Sequence, residues 1–414
     1  MESSTLLNSP RLRAVPERVY ARAGFALLCA GALIGYLVYP TYPNYDSAYS
    51  LIWGRELVDG ILPSFDAYRA PTQHPLAVAL GAVLSLLGED AAPRVWLLLS
   101  VASFCLLVAG VYRLGRAAFG PWVGLVAALL VCSRLDYAFL AARGYIDVAY
   151  LALVAWAAAR ETETPRAGRP VWILLTLAGL LRPEAWILLG LYWLWMAWPP
   201  ATRRDVRERV RTAAVAAIAP VLWALSDLIA TGDPLFSLNH TSSLANDLQR
   251  TKPASEAPSF AIHSLNGTLK WPILAGAILG IALAARFAPR RAAVLGAITA
   301  SGLVTFGAIA AAGLSVIDRY LAITAIGLIV FAAFAIAGFT VLPPGHPAYR
   351  AWIVGAAVVA VGGAAFTATH LHPGYIDREL TTRRELRQEL ARLVRTPAFT
   401  LARRCGVVSV PTTS

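Results

Sequence analysis

Residues Tyr42 to Pro75 read YPNYDSAYSLIWGRELVDGILPSFDAYRAPTQHP. This polar stretch follows the first long apolar run, and its reading decides the fold. It carries two isolated aspartates, Asp46 and Asp66, together with His74 and several tyrosines. From Asp46 to Gly60, with Tyr45 just ahead, Tyr49, Ile52, Trp53 and Leu57 recur at helical spacing. That pattern predicts an amphipathic helix lying on a membrane surface. The apolar run from His74 to Gly88 is short for a full span, so it predicts a second interfacial or re-entrant helix.

The rest of the chain supports that setting. Hydrophobic residues make up 57% and charged residues 14%, whereas a soluble domain carries about 25% charge. With mean hydropathy at +0.59 and repeated apolar runs, an all-α polytopic membrane protein is expected. The net charge of +12 sits in short arginine tracts between apolar runs. Such tracts fit cytoplasmic loops and argue against nucleic-acid binding. Cys29, Cys105 and Cys132 lie within apolar runs, Cys405 lies near the end, and no Cys/His metal spacing occurs. Arg11, Arg13, Arg18 and Arg22 precede a run that becomes the first span rather than a cleavable leader.

Alternating inside and outside from this basic N-terminus gives about eleven spans. They are Ala23–Pro40, Arg94–Val111, Pro121–Cys132, Tyr145–Ala159, Val171–Leu181 and Ala185–Trp198, then Ala213–Ala230, Pro272–Ala285, Ala292–Leu314, Tyr320–Val341 and Ala351–Ala368. The arginine tracts 160–169, 203–211 and 286–291 fall inside. The first loop (41–73), the interfacial segment (74–88), a long loop (231–271) and a polar C-terminal tail (369–414) fall outside, while residues 1–368 form the transmembrane module. Nearly all isolated ionisable residues then face out: Asp46, Asp66, His74, Asp136, Asp147, Glu184, Asp233, His240, Asp318 and His370. Function is expected on that face.

Each candidate has a structural alternative. Asp46 either caps the helix it opens or serves as a general base for an acceptor hydroxyl. His74 either starts a helix through His-Pro or meets a lipid phosphate with Arg69. Asp147 stands furthest into an apolar span, where an ionisable group is a functional candidate. Arg182-Pro183-Glu184 and Asp318-Arg319-Tyr320 each place an external arginine beside an acid; they are either self-satisfied pairs or a cradle for a phosphate-bearing donor. His240 and Phe236 are candidates to line a groove. No P-loop, Rossmann turn or Ser-His-Asp pattern occurs, so an activated donor is expected to arrive through the lipid bilayer.

An acidic first outer loop with interfacial helices, a His74-Pro75-Leu76 start, an external RPE turn and a late RYL turn together resemble the GT-C superfamily of membrane glycosyltransferases. The nearest resemblance is to the protein O-mannosyltransferase and aminoarabinose-transferase group and to actinobacterial mannosyl- and arabinosyltransferases. The resemblance implies a GT-C-like bundle that transfers a sugar, mannose or arabinofuranose, from a polyprenyl-phosphate donor. The acceptor would be an envelope glycan, glycolipid or protein, met outside the plasma membrane. It implies Asp46 as the catalytic acid with Asp66 as understudy, and Arg182, Arg319, His74 and Arg69 around the donor phosphate. Asp147, Glu184, Tyr49, Tyr320 and His240 would line the substrate. The sequence departs from the family pattern in two places. Ser47 stands where a second acid often follows the first, and His74-Pro75-Leu76 stands for the family's His-Pro-Pro. No cofactor is implied with certainty; a divalent metal near Asp46 or Asp66 remains open, with no ligand set legible. Competing readings are a transporter or flippase for a lipid-linked sugar and a non-catalytic assembly protein of the same fold.

Overall fold

The structure, a computed structural model, describes residues 17–65, 70–197, 206–247, 253–313, 316–370 and 373–405. Asp66 and Arg69 lie outside the described residues. The described residues form a helical chain. Its first half comprises α1 (Glu17–Val38), α2 (Tyr45–Val58), α3 (Pro75–Ser85), α4 (Ala91–Phe119), α5 (Pro121–Cys132), α6 (Leu135–Ala142), α7 (Ile146–Glu163), α8 (Arg169–Leu181) and α9 (Ala185–Ala197). The second half comprises α10 (Val206–Thr231), α11 (Phe236–Asp247), α12 (Ala257–Leu269), α13 (Trp271–Phe287), α14 (Pro289–Ala311), α15 (Ala322–Ala337), α16 (Pro347–His370), α17 (Pro373–Val394) and α18 (Pro397–Cys405).

A helix stands at each of the eleven expected spans. Among the described residues six segments are long and apolar enough to cross a membrane alone, and up to eight are if two bent pairs count as single spans. Those pairs are α5–α6, bent by 60°, and α12–α13, bent by 108°. The runs at α8 and α9 are shorter apolar helices, which reach partway across a hydrocarbon core of about 30 Å at about 1.5 Å per residue.

The bundle is organised around α4, α7 and α15. The 29-residue α4 packs along α7 and α5, while α15 lies against α13, α14 and α5. Apolar on nearly every face, α15 buries Ile329, Val330, Ala333 and Phe334, as an interior helix must. In contrast α1 buries no residue and presents its apolar side chains outward, as a lipid-facing helix does. Its ends are fixed by Tyr36 Oη donating to the Arg94 carbonyl (3.1 Å) and by Arg116 Nε donating to Glu17 (2.6 Å).

The two short helices expected after the first span are present, and they touch backbone to backbone. A Cβ on Gly54 would collide with Gly81 and Ala82, and one on Gly81 would collide with the Ser50 carbonyl. Two glycines in register therefore set the separation of α2 and α3, and with it the placement of Asp46 and His74 at their N-terminal ends. The long loop expected between Thr231 and Trp271 contains two helices, α11 and α12. Within the polar tail, Pro373–Val394 form α17, which packs against the bundle and buries Leu380.

Candidate functional site

The segment ahead of Asp46 is pinned before the helix begins. Tyr42 N donates to the Ala142 carbonyl (3.3 Å) and Asn44 N to the Arg143 carbonyl (2.7 Å). The Asn44 side chain then caps α2 by accepting from Ser47 N at 3.0 Å. Ser47 Oγ donates to the Gly144 carbonyl (2.5 Å), which also accepts from Trp96 Nε1 (2.9 Å). The capping role that Asp46 could have filled is thus taken by Asn44. Asp46 is half-buried, and its carboxylate carries no hydrogen bond or ion pair among the described residues. It lies close enough to act electrostatically on His74 and Arg319.

His74 caps α3 from an extended conformation. Its ring meets Trp223 edge-on at 5.7 Å, and Nδ1 is enclosed without a partner. Enclosure holds the imidazole below its ordinary range, favouring the neutral ring, while the negative charge of Asp46 pulls the other way. Gln73, next to it, donates from Nε2 to the buried Asp227 (2.5 Å), which also receives Ser237 N (2.9 Å) and Ser237 Oγ (2.7 Å). Asp227 therefore ties the His74 segment to both α10 and α11.

The RPE and RYL turns, 137 positions apart between Arg182 and Arg319, meet in one buried ion network at the start of α7 and the end of α8. Arg182, only 7% exposed, donates to both Glu184 oxygens, from Nη2 at 2.7 Å and Nε at 3.3 Å. Its third limb, Nη1, pairs with Asp147 Oδ1. Asp147 Oδ2 accepts from Arg319 Nη1 at 3.0 Å. Two cations thus balance two anions, which is what burial of such groups requires. Tyr150 and Tyr320 flank the Arg182 guanidinium at 5.8 and 5.4 Å, and Tyr145 flanks Arg319 at 5.5 Å. The two arginines differ in what remains available. All three guanidinium nitrogens of Arg182 are engaged and the group is enclosed, whereas Arg319 keeps 31% of its side chain exposed.

A third arginine adjoins these. Arg143 sits over Tyr42, Phe139 and Tyr145 at 5.9, 5.1 and 5.0 Å, with Nε buried and unpartnered. From α17, Arg387 reaches the same rim, donating to the Pro43 carbonyl at 2.7 Å and covering the Tyr42 ring. Burial pushes the Tyr42 phenol up, against the opposing pull of Arg143. Beside this rim an apolar groove of about 390 Å3 opens between α1, α4, α6 and α17, lined by Leu28, Tyr36, Phe104, Phe139 and Leu380 among others.

Of the residues singled out in the sequence, the structure joins Asp147, Arg182, Glu184, Arg319 and Tyr320 in direct contact, with Asp46 and His74 within electrostatic reach of them. Tyr49 and His240 stand apart, in an aromatic ladder that runs Tyr45, Tyr49, Trp53, Phe65, Phe236, His240 with successive ring centroids 4.7 to 5.1 Å apart. His240 Nε2 lies 2.7 Å from the Ala70 carbonyl. Asn44, Arg143, Tyr145, Tyr150 and Asp227 complete the arrangement. Asp227 had one signal in the sequence, an acid within an apolar run. Among the described residues, no group of three His, Cys, Asp or Glu side chains stands together to hold a metal.

No protein-family model matches the chain, and no curated protein matches it. Solved structures do. ArnT from Cupriavidus metallidurans bound to undecaprenyl phosphate superposes with a TM-score of 0.53 at 17% identity, over 83% of this chain and 64% of that one. The same protein in its apo state gives 0.52 at 18% identity, over the same shares. The Archaeoglobus fulgidus oligosaccharyltransferase, tethered to an acceptor peptide containing the NVT sequon, gives 0.51 at 14% identity, over 88% of this chain and 55% of that one. The chain therefore spans less than two thirds of the length of these structures. At such identities the likeness is one of fold: the chain shares the fold of ArnT and of the archaeal oligosaccharyltransferase.

Proposed function

We propose that the protein is a membrane glycosyltransferase that moves a sugar from a polyprenyl-phosphate donor to a hydroxyl of an envelope glycan, glycolipid or protein. The observation that carries this reading is the setting of Asp46: a half-buried carboxylate that neither caps its helix nor pairs among the described residues, within electrostatic reach of the partly exposed Arg319 in a GT-C-like fold. The acceptor oxygen forms a bond to the anomeric carbon as the bond from that carbon to the phosphate oxygen breaks. The acceptor proton passes to Asp46, and the negative charge gathering on the phosphate is met by Arg319 and Arg143. Direct displacement of this kind inverts the anomeric centre. Asp147, Glu184 and Arg182 fix Arg319 in place, so its charge needs no reorganisation during reaction. Tyr320 lines the sugar side, and Asp66 and Arg69 stand as further candidates for the base and for phosphate contact.

The apolar groove beside Arg143 suits the polyprenyl chain, because it runs along lipid-facing α1 and ends at the arginine rim. The sugar is mannose or arabinofuranose, and transfer takes place on the extracytoplasmic side, where the tyrosine- and acid-rich loops are expected. The test is transfer from a panel of radiolabelled polyprenyl-phosphate sugars by the purified protein. Loss of a general base costs about 100- to 10,000-fold, so Asp46→Asn should lower turnover by at least about 100-fold while the protein still binds donor. Full turnover in Asp46→Asn would remove Asp46 as the base, and donor binding without turnover in the wild type would overturn the enzyme reading.

A further inference from the structure

At the other end of α8, one helix length (about 20 Å for 13 residues) from Arg182, a second groove of about 560 Å3 opens between α8, the end of α9 and the start of α10. We propose that this groove binds an anionic phospholipid of the leaflet opposite the Asp46 site.

Its wall is apolar, formed by Trp172, Ile173 and Leu177 on α8, Met196 on α9, and Val215 and Ile218 on α10. Its mouth is basic, with Arg169 in the first turn of α8 and Arg211 on the facing first turns of α10. Both arginines are exposed, and neither makes an ion pair among the described residues. Glu208 also lines the rim and has an interaction of its own, so two arginines stand against one acid and the mouth is positive on balance. An apolar slot crowned by two unpaired arginines on separate helices matches an acyl chain below an anionic headgroup.

The mouth is also built in advance. The turn that delivers Arg169 is clamped by Glu161, which accepts from Arg166 N (2.5 Å), Ala167 N (3.1 Å) and Trp195 Nε1 (2.7 Å). Tyr192 Oη donates to Glu161 (3.2 Å) and accepts from Gly168 N (3.0 Å), and the Arg166 guanidinium lies over the Trp195 ring at 4.8 Å. Arg166 itself adopts φ 62°, a left-handed conformation that this clamp holds. On the opposite wall, Trp193 Nε1 donates to the Arg209 carbonyl (3.2 Å), joining α9 to α10. A rim fixed on both sides spends little ordering free energy on its ligand.

The test uses native mass spectrometry of the full-length protein in detergent, titrated with phosphatidylglycerol or with phosphatidylcholine of the same acyl chains. The wild type should retain phosphatidylglycerol selectively. In Arg169→Gln/Arg211→Gln its affinity should fall by roughly 30-fold, as expected for two arginines near a lipid headgroup. Arg290→Gln/Arg291→Gln, at the start of α14 and away from the groove, should bind as the wild type does. Thr176→Trp, which fills the slot and leaves the charges, should also lose retention, and this variant covers the case in which the double variant fails to fold. Equal retention of the two lipids, equal affinity in the groove variants, or exchange protection of the lipid-free groove by the chain's own residues would each overturn the proposal. None of these outcomes depends on sugar transfer.

Discussion

Asp147 joins two arginines that come from turns far apart in the chain, and a double-mutant cycle reads that junction directly. In Asp147→Asn, Arg182 and Arg319 face Glu184 alone, leaving one excess positive charge. In Arg319→Gln, Asp147 and Glu184 face Arg182 alone, leaving one excess negative charge. The double variant removes one charge of each sign and returns the network to neutrality. For unit charges at the observed 3.0 Å, an effective dielectric of about 20 gives an attraction of about 5.5 kcal/mol. Desolvation opposes much of this, and Arg319 is 31% exposed, so the share visible in stability is smaller, about 1.5–3 kcal/mol. Breaking a buried pair on one side costs about 3–5 kcal/mol. Asp147→Asn, which strips a partner from the enclosed Arg182 as well, should therefore cost more than Arg319→Gln.

The assay is denaturant unfolding in detergent, followed by the fluorescence of the twelve tryptophans. The double variant should be destabilised by at least about 1.5 kcal/mol less than the sum of the two single losses. Additive losses, agreeing within about 0.5 kcal/mol, would refute the bridge and with it the view that the two turns hold one another.

Two further outcomes follow from the same geometry. The folded state holds the His74 imidazole below its ordinary 6.5, so as pH falls the unfolded chain takes up this proton first. Stability from this group is therefore full above about pH 6.5 and declines below it. Unfolding midpoints measured across that range should fall in the wild type and fall less in His74→Phe; parallel curves would show that His74 titrates freely. Gly81→Leu forces a side chain into the Ser50 carbonyl, and should cost about 1–3 kcal/mol by overpacking and at least tenfold in transfer by displacing Asp46. Wild-type activity in Gly81→Leu would mean that α2 is positioned by its cap alone.

The features legible in the sequence were those that repeat locally. The spacing of Tyr49, Trp53 and Leu57 announces α2, the shortness of the run after His74 announces α3, and arginine tracts separate the ends of the bundle. Because alternation places both turns at one end, Arg182 and Arg319 could be grouped before their contact was visible. The contact itself could not be read, since a bridge from Asp147 to residues 35 and 172 positions away leaves no local trace. Asp46 illustrates the other limit. Its choice between capping and standing free rests on the conformation of Asn44 two residues earlier, and both residue types cap helices equally well. The family resemblance set Tyr49 and His240 beside the arginines around the substrate. Yet aromatic side chains at one depth also pack with one another, and the ladder through Phe65 shows that here they do.

The tie between Arg387 and the Pro43 carbonyl spans 344 positions. Were the chain between them flexible, closing that loop would cost about 5 kcal/mol in entropy, more than one hydrogen bond and one cation–ring contact return. The contact forms cheaply only once the intervening helices already hold both ends near each other. It is therefore a late event in folding, a clasp that closes on a finished bundle. The rim beside Asp46 takes its final shape after the transmembrane helices have assembled.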